Sequence, residues 1–140
     1  MVFDNETLEW DERLAGCQQA IGVRFDDLEI LRRCLTHSST APTRLESNER
    51  LEFLGDAVLG LVTSDYLFRT FPDCPEGEMT RIKSAVVSRV TCAEVCVELG
   101  LHRFLKLGKG LVGEAGSADT VPLSILAATL EAIIAGVYLD

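Results

Sequence analysis

NERLEFLGDAVLGLV, residues 48–62, is the stretch that decides the fold of this chain. Apolar residues recur in it at helical spacing, and the pattern predicts a helix from about residue 48 to residue 70. Three acids, Glu49, Glu52 and Asp56, interrupt the apolar run, and at about 100° per residue they share one narrow face. The side that we predict to be buried carries Leu51, Leu54, Val58, Leu61 and Val62.

These acids lie three and four residues apart, where like charges repel by about 0.3 kcal/mol per pair. One interpretation is a solvated charged face. The other is a site for Mg²⁺, which binds carboxylate oxygens and keeps water and substrate phosphates in its remaining positions. Glu131 is the one charged residue between Pro122 and Leu139. A carboxylate buried there needs a partner, and a metal shared with Glu52 would be one.

The rest of the chain also has helical patterns and lacks the alternation of strands, so we predict an all-α fold. Pro42 and its small polar neighbours indicate a loop before residue 48, and the glycines of residues 106–120 indicate an exposed loop. The predicted helices are residues 5–21, residues 26–37, residues 48–70, residues 78–99 with a possible kink near 89–91, and a last helix from residue 122.

Length and composition predict one soluble globular domain over residues 1–140, with 47% hydrophobic and 25% charged residues. An acidic start and the lack of a bilayer-length apolar run predict a cytoplasmic protein with no membrane partner. Five cysteines without a CxxC pair predict reduced, mostly buried thiols rather than a zinc site. The sequence stops inside an apolar helix, which suggests a fragment of a longer protein.

The formal net charge of −9 argues against general nucleic-acid binding, which usually shows a basic surface. It is compatible with a site that meets phosphate through a divalent metal, because such a site requires carboxylates.

The sequence resembles the endonuclease domain of the ribonuclease III family over nearly its whole length. NERLEFLGDAVL at 48–59 is similar to the family signature, and further similar segments lie before and after it in the family's order. These segments are LTHSS at 35–39, PEGEMTRIKSAVVS at 75–88, LGLHRFLKLGKG at 99–110 and LEAIIAGVYLD at 130–140.

The resemblance implies an all-α homodimer that cleaves double-stranded RNA with Mg²⁺, or with Mn²⁺ in its place, during RNA processing. The products would carry 5′-phosphate and 3′-hydroxyl ends. Glu52, Asp56 and Glu131 would be the metal-binding and catalytic acids. Glu49 would be a further catalytic acid, in a supporting role, and Glu76 would be a supporting acid beside the cleft. Phe53 would insert into the partner subunit at the dimer interface. A double-stranded RNA-binding domain commonly follows at the point where this chain ends.

One position departs from the family pattern. The family's last helix usually carries an aspartate three residues before its glutamate, and here that position is Ala128. A principal metal ligand is therefore missing, which puts activity in doubt. The alternative function is a catalytically silent domain that serves RNA binding or dimerisation.

Other chemistry-bearing residues are less specific. Phosphate contacts are predicted from four scattered bases, Lys106, Lys109, Arg81 and Lys83, although each is also compatible with a simple surface charge. His37 is interpreted as a packing or loop-anchoring histidine rather than a base, and His102 has no assigned role. A di-iron carboxylate bundle is disfavoured, because neither histidine follows a glutamate by three residues.

Overall fold

Six α-helices dominate residues 10–111 and 120–140, the parts of the chain that this computed structural model describes. They are α1 (Trp10–Ile21), α2 (Leu28–Cys34), α3 (Glu49–Thr70), α4 (Glu76–Val86), α5 (Arg89–Glu98) and α6 (Leu123–Leu139). Short 3-10 turns lie at Arg44–Glu46, Leu101–Arg103 and Lys109–Leu111. Strand pairing within the described residues is limited to an isolated bridge between Thr36 and Lys106. The all-α prediction is confirmed.

Helix α6 is the centre of the core. It packs most extensively against α3 and α5 and also contacts α2. Ala132 and Ala135 of α6 are fully buried and Ile133 is nearly so. These side chains are mostly small, so the neighbouring helices approach α6 closely. Among the helices of the described residues, none has the length and apolar character needed to cross a membrane.

The cysteines behave as predicted. All five are free, and four of them, Cys17, Cys34, Cys92 and Cys96, are buried. Burial raises the pKa of the Cys17 and Cys96 thiols to about 12. They are therefore neutral packing groups rather than nucleophiles or metal ligands.

Two helix boundaries differ from the sequence prediction. The predicted helix over residues 78–99 is wrong as a single element, because α4 ends at Val86 and α5 begins at Arg89. Ser88 separates them by accepting a hydrogen bond from the backbone N–H of Thr91, which caps α5. The second predicted helix ends at Cys34 rather than at residue 37. The predicted start of the first helix, at residues 5–9, lies outside the described residues.

The packed side of α3 matches the prediction only in part. Leu51 is buried and Leu54 packs against the core as expected, but Leu61 and Val62 are 69% and 59% exposed. The other buried positions of α3 are Gly55, Thr63 and Leu67. The acids lie beside this packed face rather than opposite it, because α6 crosses α3 on the side that carries Gly55.

Candidate active site

Four of the predicted acids line one pocket of about 480 Å³. Glu49, Glu52 and Asp56 come from α3, and Glu131 comes from α6. The remaining lining residues are Phe53, Val87 and Arg89. The structure therefore brings together the four residues that were predicted to be catalytic, and it opens the pocket towards the start of α5.

A close helix crossing places Glu131 against α3. A Cβ atom built on Gly55 would lie 1.7 Å from the carbonyl oxygen of Glu131, so a side chain at this position is excluded. Gly55 lies between Glu52 and Asp56 on α3. The glycine therefore lets the backbone of α6 approach the helix at the level of these two acids.

The start of α3 is anchored to the end of α2. The side chain of Asn48, which is 2% exposed, donates a hydrogen bond to the carbonyl oxygen of Cys34 at 3.2 Å. Its backbone N–H donates to the carbonyl oxygen of Thr36 at 2.9 Å. These bonds hold the first turn of α3, which carries Glu49 and Glu52, in a defined position.

Burial and the charges of neighbouring acids raise the pKa of two of the acids, Glu52 and Glu131. Glu131 is 8% exposed. Burial, together with the charges of Asp56 and Glu52, raises the pKa of Glu131 to about 7. Burial also raises the pKa of Glu52, and the charge of Arg89 opposes that change. A buried carboxylate with neighbouring acids is typical of a site that binds a cation or transfers a proton.

No ion pair with another described residue neutralises any of the four carboxylates. Within the described residues, the ion pairs join Arg69 to Asp65 and Arg81 to Glu78, both outside the pocket. Nor do three His, Cys, Asp or Glu side chains of those residues converge closely enough to enclose a metal by themselves. Mg²⁺ needs only one or two carboxylates when water and phosphate complete its coordination. The oxygen donors of this pocket therefore fit such an ion.

Ala128 lies one helical turn before Glu131 and is partly exposed. It does not line the acid pocket. A methyl group at this position offers no oxygen, so the α6 side of the pocket presents a single carboxylate.

The remaining predicted site residues lie elsewhere. Glu76 begins α4, accepts a hydrogen bond from the Thr80 hydroxyl at 2.7 Å, and lines a separate pocket with Lys83. Arg81 is paired with Glu78. The ammonium group of Lys106 lies 5.4 Å from the ring centre of Trp10. The prediction for Lys109 concerns a side chain outside the described residues.

The two histidines lie outside the lining of the acid pocket, His37 in a loop and His102 in a buried position. His37 Nδ1 accepts a hydrogen bond from the backbone N–H of Ser39, and the backbone N–H of His37 donates to Lys106. This confirms the loop-anchoring interpretation. His102 is 8% exposed, and burial lowers its pKa. Its buried Nδ1 has no hydrogen-bond partner within the described residues.

Arg89 is the charged residue of the pocket lining that the sequence analysis missed, and Val87 was not predicted either. It lies at the first position of α5, in a stretch interpreted as a kink within one long helix. Recognising Ser88 as a helix cap would have placed Arg89 at a helix start, but nothing in the local sequence connects that start to α3. Only the tertiary fold brings it to the acids.

The fold and the site define an all-α domain with an acid-lined pocket, and comparisons with known proteins show which family has these features. A family model described as Ribonuclease-III-like matches residues 27–140. Ribonuclease 3 of Rhodopirellula baltica is 46% identical over 128 residues, which are 91% of this chain and 47% of that protein. Ribonuclease 3 of Thermobifida fusca is 48% identical over 125 residues, 88% and 50% of the two chains.

A solved structure gives the same result. The nuclease domain of ribonuclease III from Campylobacter jejuni superposes with a TM-score of 0.80 at 35% identity, covering 91% of this chain and 85% of that one. The chain belongs to the ribonuclease III family and has the fold of its nuclease domain. It spans about half the length of the two curated relatives.

Proposed function

We propose that this chain is the catalytic part of a metal-dependent endoribonuclease that hydrolyses double-stranded RNA in the cytoplasm. The observation that carries the proposal is the acid pocket. Four carboxylates from two helices line it, and no ion pair within the described residues neutralises them. Keeping such a cluster costs folding free energy, which a bound cation would offset.

Glu52 and Glu131 are the residues that would hold Mg²⁺, or Mn²⁺ in its place, because they lie on the two helices that face each other across the pocket. When bound, the metal supplies an activated water and stabilises charge on the phosphate oxygens. Asp56 and Glu49 accept hydrogen bonds from water at the rim and orient it. Phe53 and Val87 provide the apolar part of the lining.

The reaction is the hydrolysis of a phosphodiester. A bond forms between a water oxygen and phosphorus while the bond from phosphorus to the 3′ oxygen breaks. The 3′ oxygen takes up a proton, so the products are a 5′-phosphate and a 3′-hydroxyl. No nucleophilic side chain is required, and none of the lining residues is a serine, threonine, cysteine or histidine.

RNA contacts outside the pocket are proposed for Arg81, Lys83, Lys106 and Lys109. A-form RNA is recognised mainly through shape, 2′-hydroxyls and phosphates, so scattered bases suffice for these contacts. The net charge of −9 limits their combined attraction. We therefore propose that a separate RNA-binding domain of the whole protein assists, in line with the greater length of the relatives.

We also propose that two copies of the chain associate through α3. Phe53 is 82% exposed, and Leu61 and Phe68 are 69% and 71% exposed. At about 100° per residue these three side chains share one stripe of the helix. An exposed apolar stripe is typical of a protein interface. The Campylobacter jejuni nuclease domain is described with a region involved in dimer formation.

The alternative function is a silent domain that binds RNA or dimerises without cutting. Ala128 is the observation that favours it, since the α6 side of the pocket offers only Glu131. The fold is equally suited to both functions, so cleavage itself has to be measured.

The decisive experiment incubates the purified chain with long duplex RNA and Mg²⁺ or Mn²⁺, and analyses the ends of the products. Glu52→Gln is expected to lower the cleavage rate by at least about 100-fold, because it removes a charge on which the metal depends. Glu98→Gln is the matched control, since Glu98 is exposed on α5 and lies outside the acid pocket.

Ala128→Asp is measured in parallel. If neither the unmodified chain nor Ala128→Asp cuts duplex RNA, the enzyme proposal is wrong and the silent alternative stands. Cleavage that Glu52→Gln leaves unchanged would also refute the proposal, because the acid pocket would not be its source.

A further inference from the structure

Arg89 is the positively charged residue among those that line the acid pocket. It is the first residue of α5, directly after the capping residue Ser88. Its neighbours across the pocket are the carboxylates of α3 and Glu131 of α6. A single cation therefore lies at the rim of a strongly anionic pocket.

Among the described residues, this guanidinium has no partner of its own. Arg69 and Arg81 each form an ion pair with an acid of their own helix. Arg89, by contrast, makes no ion pair within 4.0 Å and no hydrogen bond to the described residues. It is nevertheless near enough to Glu52 and Glu131 for its charge to oppose the rise in pKa that burial causes in both. Its donors remain available to a ligand that enters the pocket.

We propose that Arg89 is a further catalytic residue, which donates hydrogen bonds to the non-bridging oxygens of the phosphate that is cleaved. This inference rests on the proposed function. A phosphate that approaches four carboxylates is repelled, and a guanidinium in the same pocket lining reduces that repulsion. The planar, forked donors of arginine match two phosphate oxygens, which the point charge of lysine does not.

The same contact strengthens during the reaction. Negative charge on the phosphoryl oxygens is redistributed in the transition state, and a donor fixed in advance stabilises it without reorganisation. The cap at Ser88 and the adjoining helix turn fix the backbone of Arg89. A simple counter-ion would instead keep the acids ionised and would not touch RNA, so the two roles can be separated by experiment.

The test compares Arg89→Ala, Arg89→Lys and Arg69→Ala in the purified chain. Arg69 is the matched control because it is exposed, lies at the far end of α3 and is paired with Asp65. Arg89→Ala is expected to lower kcat/KM on duplex RNA by about 100-fold. Arg89→Lys is expected to recover only a small part of this loss, and added guanidinium ion at millimolar concentration is expected to restore part of it for Arg89→Ala.

RNA binding is measured separately in a Glu52→Gln background, in which turnover is blocked. Removing one phosphate contact is expected to reduce the slope of log K against log salt concentration by about 1 for Arg89→Ala. The slope for Arg69→Ala is expected to stay the same. If Arg89 were only a counter-ion, Arg89→Ala would change the pH profile of cleavage. It would leave the salt slope unchanged, and added guanidinium ion would not restore activity.

The outcomes separate failure of the Arg89 inference from failure of the proposed endoribonuclease function. If the unmodified chain cuts RNA and Arg89→Ala cuts equally well, Arg89 is not catalytic although the proposed function stands. If no form of the chain cuts RNA, the proposed function fails, and the salt slope alone shows whether Arg89 contacts phosphate. An unchanged slope, or no measurable binding of duplex RNA, overturns the inference.

Discussion

The two halves of α3 differ in which side chains lack a partner: acids in the first half and mainly apolar side chains in the second half. In the first half, Leu51 and Gly55 are buried against the core, while the acids Glu49, Glu52 and Asp56 have no ion-pair partner within the described residues. In the second half, Asp65 is paired with Arg69 at 2.8 Å, and it is the apolar side chains that lack cover. Those exposed by more than half are Leu61, Val62, Tyr66 and Phe68, and Phe53, which is 82% exposed, is the large apolar side chain of the first half that shares this exposure.

This difference separates two kinds of function on one helix. Unpaired charges beside a close helix crossing favour binding of a cation, whereas uncovered apolar side chains favour binding of another protein surface. Helix α3 therefore connects the proposed metal site to the proposed dimer interface. The effects of substitutions in one half of α3 on stability, association and cleavage can be compared with the effects of substitutions in the other half.

The largest expected effect concerns the helix crossing in the first half. Gly55→Ala is expected to lower the free energy of unfolding by about 3 kcal/mol, because its Cβ would meet the backbone oxygen of Glu131 and push α6 away. Gly60→Ala on the same helix is the matched control. Its Cβ meets only the end of the Lys83 side chain at 3.7 Å, so it is expected to stabilise α3 by about 0.5 to 1 kcal/mol.

Urea denaturation of both variants measures these effects. Equal stability of the two alanine variants would show that the contact of α3 with α6 does not depend on Gly55. Cleavage activity should follow the same order, since the crossing places Glu131 beside the acids of α3.

The next effect concerns the exposed stripe. Phe53→Ala is expected to raise the dissociation constant of the dimer by about 30-fold, roughly 2 kcal/mol, because a large exposed aromatic is a strong candidate for the centre of the interface. Val97→Ala, a substitution of a partly exposed residue on α5, should leave the constant unchanged. Sedimentation at several concentrations measures both, and an unaffected Phe53→Ala dimer would place the interface elsewhere.

The acid pocket should make folding stability depend on pH. The pKa of Glu131 is about 7 in the fold, against an ordinary value of 4.5. Between these values the unfolded chain releases its proton while the folded chain keeps it, so stability falls as pH rises from 4.5 to 7 and is then constant. We expect a loss of about 2 kcal/mol, less than the full shift because the pocket is open to solvent.

The measurement is the free energy of unfolding at pH 5 and pH 8, for the unmodified chain and for Glu131→Gln. The difference between the two proteins should change by about 2 kcal/mol across this interval, while Glu98→Gln should behave like the unmodified chain. A pH-independent difference would show that Glu131 titrates normally in the fold.

The sequence predicted what depends on local signals. The start and end of α3 and the beginning of α6 after Pro122 were predicted to within about two residues, since glycine, proline and the helical pattern fix them locally. The helical pattern singled out the acids of α3, and the uncharged surroundings of Glu131 singled out that residue, while the resemblance to the ribonuclease III family supplied their roles and added Glu76. The structure then brought four of them together, but not Glu76.

The sequence could not predict which side of α3 meets α6. A helical wheel ranks the faces of a helix by hydrophobicity, and it therefore predicts that Leu61 and Val62 are buried. It does not predict that Gly55 lies at a helix contact. Close approach of two helices depends instead on the absence of a side chain, which becomes informative only when the partner helix is known. Arg89 was missed for the same reason, because its proximity to the acids arises from the packing of α5 against α6.

The smallest expected effect concerns Ala128, which lies one turn from Glu131. Ala128→Asp adds a carboxylate beside a buried acid, so without metal it is expected to lower the free energy of unfolding by about 1 kcal/mol. With Mg²⁺ the loss should disappear, and cleavage should rise by about tenfold, because the added oxygen ligand strengthens metal binding.

Ala128→Asn is the control, since it has nearly the same shape as the aspartate variant without the charge. Unfolding is measured with Mg²⁺ and with a chelator. If the aspartate and asparagine variants respond alike to Mg²⁺, the α6 side of the pocket does not bind the ion, and the unpaired acids of α3 need another explanation. If only the aspartate variant gains stability, the first half of α3 is a metal site that this chain holds with one ligand fewer than it can accommodate.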